Sequence, residues 1–141
     1  MAHRVETLRP PNTPAPLGPY SHITMAGGFI SISAIAGMDP ATGQLVGSDA
    51  YSQAKQILAL IDGMLASAGT DLHHIVHVNV VLKHMEDLDQ MSRAFGEAMG
   101  QHGPACTVVA MAELPKPGAL LTMSLTAVVD SCEFVSFEDR F

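Results

Sequence analysis

Residues 102–129, HGPACTVVAMAELPKPGALLTMSLTAVV, hold two apolar runs of strand length separated by a Leu-Pro-Lys-Pro-Gly segment, and few folds accommodate that pattern. Gly103 and Pro104 interrupt whatever precedes them. The run 105–112 then reads as one strand, 114–118 as a turn, and 119–129 as a second, alternating strand. The pattern predicts a C-terminal β-hairpin.

The rest of the chain is read against that pair. Residues 10–19 hold five of the nine prolines, so the segment cannot be helical and is expected to lie extended over the surface. A strand to about Met25, a Gly27-Gly28 turn and a strand over 29–36 predict an opening hairpin. Strict alternation in the second strand places Ser31, Ser33 and Ile35 on one face and Ile30, Ile32, Ala34 and Ala36 on the other. Asp39-Pro40-Ala41-Thr42-Gly43 is a turn by composition, with a short strand over 44–46 allowed after it.

Over 49–68, Tyr51, Ala54, Leu58, Ile61, Leu65 and Ala68 recur at steps of three and four, which predicts an amphipathic helix capped by Ser48 or Asp49 and ended at Gly69. Residues 74–83 alternate as a strand. A second helix is expected over 87–99, with Asp87 and Gln90 as a capping box, Leu88, Met91, Phe95 and Met99 buried, and Gly100 as its stop. The tail 130–141 shows no period. The element order ββαβαββ implies a single α+β domain over 1–141, core about 14–130, with a proline-rich arm, a C-terminal tail and both helices on one face of a mixed sheet.

Composition bears on the face those helices leave open. Hydrophobic residues make up 48% of the chain and charged ones only 15%, against about 25% charged in an average soluble domain. Ser33, Ile35, Val81, Leu120 and Val128 give the strands a second, partly apolar face, and another copy of the chain is expected to cover it. The formal charge of −7, with seven Lys and Arg in all, argues against a nucleic-acid partner. No apolar run approaches the roughly 20 residues of a membrane span, and residues 1–16 lack the hydrophobic segment of a signal peptide, so a cytoplasmic protein without membrane contact is expected. Cys106 and Cys132 are too few for a disulfide framework and lack zinc spacing; both are expected as thiols.

Several pieces, in order, resemble one family. Gly18-Pro19-Tyr20-Ser21, the strand ending at Ser33, Asp39-Pro40-Ala41-Thr42-Gly43-Gln44-Leu45-Val46, Ala66-Ser67-Ala68-Gly69, Val76-His77-Val78-Asn79-Val80, and Pro104-Ala105 through Leu114-Pro115-Lys116 are similar to the reactive intermediate deaminases (RidA, or YjgF). The resemblance covers 14–129. It implies a chorismate-mutase-like fold, a homotrimer with clefts between subunits, and cofactor-free hydrolysis of small reactive enamines and imines to a carbonyl compound and ammonia.

The resemblance carries the family's site tyrosine to Tyr20 and its serine to Ser33. Its carboxylate-gripping arginine falls on Cys106, its late glutamate on Ser124, its helix asparagine on Ser92 and a nearby glutamine on Ile35. The expected catalytic residues are therefore Tyr20, Cys106 and Ser124. Ser33, Ile35, Ser92, Cys106, Thr107 and His22 are expected to bind substrate. A bidentate arginine is the usual device for a planar carboxylate, and a hydrogen bond to a charged group contributes about 1.5–3 kcal/mol. Its loss predicts roughly hundredfold weaker binding of an amino-acid-derived enamine, since about 1.4 kcal/mol is tenfold.

Each residue also has a structural reading. Cys106 is either a nucleophile or a cleft wall, because an unperturbed thiol with a pKa of about 8.5 is only a few per cent ionised at neutral pH. His22 is either a general base or an exposed strand histidine. His73, His74 and His77 lack companions for a metal, and a strand would point His74 and His77 to opposite faces. Two functions stay open: a diverged hydrolase for a less charged enamine, imine or related unsaturated compound, and a non-catalytic trimer that binds a small ligand or a partner.

Overall fold

The computed structural model describes residues 4–129, so Cys132 and the tail lie outside the described residues. The order is β1 (Glu6–Leu8), β2 (Ile23–Ala26), β3 (Phe29–Ile35), α1 (Ala50–Ser67), β4 (Ile75–Leu82), α2 (Leu88–Met99), β5 (Ala105–Ala110) and β6 (Leu121–Val128). Six strands form one mixed sheet in the order β1-β2-β3-β6-β4-β5. The two helices pack over one face, burying Ile57, Ile61, Met64 and Leu65 of α1 and Met91 and Ala94 of α2 against Ile30, Ile32, Val78, Val80, Met123 and Leu125 of the sheet. This is the α+β layer expected from the element order. No helix among the described residues is long and apolar enough to cross a membrane.

The opening hairpin forms as read: β2 and β3 pair antiparallel, with Ala26 opposite Phe29 across Gly27 and Gly28, both at positive φ. The C-terminal hairpin does not. β4 lies between the two last strands, parallel to β5 and antiparallel to β6. The physical reason is in the connection. Pro115 and Pro117 have no N–H to close a tight turn, and residues 111–120 are long enough to carry the chain across one strand. The strand-helix-strand unit of β4, α2 and β5 meanwhile favours a parallel pair. Met111 N donates to Leu82 O at 2.9 Å and Lys83 N to Leu120 O at 2.9 Å, so both ends of the connection are tied to the end of β4.

Four local differences follow from specific competitors. The short strand β1, absent from the expected order, pairs with β2 through Glu6, Thr7 and Leu8. The proline-rich arm turns rather than running straight: Thr13 Oγ1 donates to Pro10 O at 2.7 Å, and Asn12 takes φ 64°. Strict alternation fails in β3, where a register shift between Ile32 and Ile35 turns Ile35 into the core, 1% exposed, instead of sharing a face with Ser31 and Ser33. Asp87 makes no side-chain cap for α2, since a 3₁₀ turn (Met85–Asp87) leads directly into that helix. Gln90 instead accepts from Tyr51 N at 3.1 Å, at the start of α1. Asp49 caps α1 as expected, accepting from Ser52 N at 3.0 Å, and the strand allowed at 44–46 is a single bridge between Met38 and Leu45.

Candidate functional site

A cleft of about 250 Å³ opens where the proline-rich arm meets the end of β3 and the Pro115-Lys116 turn. Pro14, Leu17, Ile35, Met38 and Pro115 give it mainly apolar walls, and Tyr20, His22, Ser33, Lys116 and Thr122 supply the polar groups. The bulge in β3 sets its floor. By inserting a residue between Ile32 and Ile35 it sends Ile35 into the core and leaves Ser33 half-buried at the cleft.

Neighbouring elements hold this end of the sheet rigid. Gly37 passes so close to α1 that an added Cβ would lie 2.5 Å from Gln53 O, which only glycine permits. Gln53 is itself 1% exposed. Its Nε2 donates to Gly47 O at 3.3 Å and Gly118 O at 3.4 Å, and its Oε1 accepts from Leu120 N at 2.8 Å. Gln56 Nε2 donates to Met38 O at 2.9 Å. Two glutamines of α1 thus fix the loop on either side of the cleft.

His22 is the residue whose setting differs most from expectation. It is no exposed strand histidine: only 8% of it is exposed, and its Nδ1 lies 2.7 Å from Ser33 Oγ. Its Nε2 is sealed from solvent with no hydrogen-bond partner among the described residues. Burial pushes the imidazole pKa down, and the Ala15 main chain beside the ring opposes this more weakly. The Tyr20 ring meets the imidazole edge-on with centroids 5.9 Å apart, and Tyr20 Oη accepts from Leu17 N at 3.2 Å. Lys116 Nζ donates to Gly43 O at 2.8 Å.

The remaining expected residues fall into two groups. Ser124 lies on β6 between Leu125, opposite Ile32, and Met123, opposite Ile35, so it faces the β3 bulge. It is also the register partner of Asn79, which in turn partners Thr107. Ser33, Ser124, Asn79 and Thr107 thereby form a row across the helix-free face, and Thr107 Oγ1 lies 2.9 Å from His77 Nε2. Cys106 sits one residue earlier and partners Val78, which is buried beneath the helices, so it belongs to the opposite face. The residue is exposed, yet its thiol is desolvated enough to move the pKa up, away from an ionised nucleophile. Ser92 is exposed on α2. Arg93 next to it places its guanidinium 3.9 Å from the centroid of the Tyr51 ring, within the helical layer.

Lys116 and Thr122 were not singled out in the sequence as site residues. Lys116 stands in the Leu-Pro-Lys segment that carries the resemblance, and Thr122 shares the β6 face of Ser124 two residues later, so both signals were present. Among the described residues no group of three or more His, Cys, Asp or Glu is placed to hold a metal ion. His74 Nδ1 lies 2.8 Å from Asp71 Oδ1, and His102 Nε2 donates to Ile75 O at 3.0 Å.

With this geometry in place, comparison with known proteins is decisive on ancestry. The family model described as Endoribonuclease L-PSP matches residues 10–129. The chain belongs to this family, the RidA or YjgF proteins. It is 37% identical over 111 residues to a RutC family protein of Pyrococcus horikoshii, covering 79% of this chain and 88% of that one. It is 36% identical over 105 residues to the 2-iminobutanoate/2-iminopropanoate deaminase of Capra hircus, covering 74% and 77%. A solved structure from Yersinia pestis, described as a protein of unknown function of the conserved Rid family, superposes with a TM-score of 0.85 at 29% identity, covering 89% of this chain and all of that one.

Proposed function

We propose that this RidA-family chain is a cofactor-independent hydrolase of neutral enamines and imines, acting as a homotrimer whose clefts lie between subunits. The observation that carries the reading is the apolar cleft in which Tyr20, His22 and Ser33 converge, in a chain 36% identical to an imine deaminase. The chemistry asks little of the protein. An enamine tautomerises to its imine, water adds to the C=N carbon, and the carbinolamine expels ammonia to leave a carbonyl. Each step needs proton transfers at nitrogen and oxygen, which hydroxyl and imidazole groups supply. Tyr20 and Ser33 hold the nitrogen end, and Ser124 lies along the same row as a further hydroxyl. Cys106 replaces the family's arginine with a desolvated thiol and serves as a wall, contributed to the cleft of a neighbouring subunit.

The same substitutions favour a second reading, a trimer that binds a small ligand without turning it over: Cys106 and Ser124 stand where the family carries a cation and an anion. RNA cleavage, which the family description names, fits poorly with seven Lys and Arg against fourteen Asp and Glu. One assay separates the readings. Ammonia release from 2-aminoacrylate, generated in a coupled reaction, is expected to be roughly a hundredfold below that of a relative with arginine at this position. Release from imines lacking a carboxylate is expected to be readily measured. No release from any imine favours the binding trimer. Parity on 2-aminoacrylate overturns the substrate assignment and makes Lys116, which lines the cleft, the cation to replace next; Arg93 is occupied by Tyr51.

A further inference from the structure

We propose that His22 and Pro14 form the wall that decides which nitrogen substituents the cleft admits: they close it behind the nitrogen end and shut off a second hollow in which an N-alkyl group would fit. The inference deepens the proposed function by naming residues that set its specificity, and it rests on that reading for the reaction but not for binding.

The hollow has a volume of about 180 Å³ and is lined by Leu8, Arg9, Thr13 and Ile23 among others. Pro14, Ala15 and His22 line both it and the cleft, so these three residues are the wall the two spaces share. The wall is closed at the imidazole. Only 8% of His22 is exposed and its Nε2 is sealed, so no solvent-wide channel runs past that side of the ring. The wall is also held in place. Ser33 N donates to His22 O at 2.9 Å, Ser33 Oγ lies 2.7 Å from His22 Nδ1, and the Tyr20 ring meets the imidazole edge-on with centroids 5.9 Å apart. Pro14 is buried, and its own ring fixes its φ. The turn before it, with Asn12 at φ 64° and Thr13 Oγ1 donating to Pro10 O at 2.7 Å, sets where the arm meets the sheet. None of these contacts depends on which ring nitrogen carries the hydrogen.

The consequence lies in the leaving group. Tyr20 and Ser33, which hold the nitrogen end, are the two residues in contact with the imidazole, so the wall stands directly behind the nitrogen. An unsubstituted imine fits in front of it: water adds to the C=N carbon, the C–N bond breaks, and the products are the carbonyl compound and ammonia. An N-alkyl imine, which would release an alkylamine instead, has to place its substituent where His22 and Pro14 stand. Volume points the same way. Sites for drug-sized ligands occupy about 300–1,000 Å³. The cleft alone, about 250 Å³, falls short of that range, whereas cleft and hollow joined would fall within it. Removing the ring therefore opens room for the substituent, and each methylene buried there adds about fourfold in affinity.

The test uses the full chain and two neutral C=N compounds that resist hydrolysis, cyclopentanone oxime and its O-pentyl ether, which differ only in the group beyond the nitrogen. Calorimetry is expected to show the wild-type protein binding the oxime at least tenfold more tightly than the ether. His22→Ala is expected to reverse that order. Because the ratio is taken within each protein, the loss of the Ser33 partner, which acts on both probes, cancels. Pro14→Ala, which thins the wall from the arm, is expected to narrow the ratio. NMR shifts at Leu8 and Thr13, which line the hollow and not the cleft, are expected to move when the ether binds His22→Ala and to stay in place when it is added to the wild-type protein. Equal binding of the two probes by the wild-type protein, a wild-type ratio in His22→Ala, unmoved Leu8 and Thr13 signals in that variant, or no binding of either probe overturns the inference. Neither probe is turned over, so these outcomes stand apart from failure of the hydrolase reading. If His22→Ala does not fold, the wild-type ratio and Pro14→Ala decide the matter.

Discussion

Burial moves two candidate residues in opposite chemical directions, and it does so at the scale of single side chains. The Cys106 thiol is pushed up and stays protonated; the His22 imidazole is pushed down and stays neutral. For His22 this has a stability consequence with a definite sign. Its folded pKa lies below the ordinary 6.5, so beneath that value the unfolded chain binds more protons than the folded one. The stabilisation is complete above pH 6.5 and is lost as pH falls toward the folded value. The thermal midpoint is therefore expected to drop as pH is lowered through this window. His22→Gln, which does not titrate, is expected to flatten that part of the curve while lowering the midpoint at neutral pH. Carboxylates held low by hydrogen bonds, Asp71 by His74 and Glu97 by Tyr51, lose their contribution only at more acidic pH and leave this window undisturbed. An unchanged slope in the variant would place the effect elsewhere.

Between elements, Gln53 joins the helical layer to the loops around the cleft. A leucine there keeps the volume but leaves Leu120 N, Gly47 O and Gly118 O without their partner. Each buried polar group so stranded costs about 1–3 kcal/mol, so Gln53→Leu is expected to lower unfolding stability by about 3 kcal/mol, read by urea denaturation with an unchanged slope. A loss below about 1 kcal/mol would show that water replaces the glutamine. No feature of the sequence announced this residue: it sits inside a helical stripe and reads as polar surface. The elements themselves were legible, because period and capping are local signals, as Asp49 and the Gly27-Gly28 turn show. Pairing was less so. The last two strands look like a hairpin until β4 claims the place between them, and the β3 bulge that seats Ser33 leaves only an apolar Ile35 out of phase. Tyr20 and Ser33 came through the resemblance, whereas the partnership of His22 with Ser33 depends on residues eleven apart meeting across β2 and β3.

At the scale of the whole molecule, the sheet has one face under helices and one without. On the uncovered face Phe29 and Val109 are 55% and 44% exposed, apolar side chains that another copy of the chain would cover in the proposed assembly. The expected site residues are split by the same sheet. Tyr20, Ser33 and Ser124 lie toward the uncovered side, while Cys106 partners the buried Val78 on the helical side and Ser92 is exposed on α2. In one chain these two sets lie on opposite sides of the sheet, and under the proposed assembly Cys106 and Ser92 would reach the cleft from a neighbouring subunit. Sedimentation is accordingly expected to give a trimer at micromolar concentration, and a stable monomer would sink the proposed assembly. Subunit mixing tests the shared site directly. Tyr20→Ala disables one side of a cleft, and Cys106→Trp fills the other; each homotrimer is expected to lose turnover of the neutral imine. If every cleft draws its two sides from different chains, random reassembly of the two variants at equal concentration restores about a quarter of the clefts with both sides intact, by the symmetry of a cyclic trimer. Recovery near that level requires the cleft to be built between subunits, and no recovery after verified exchange would return the whole site to a single chain.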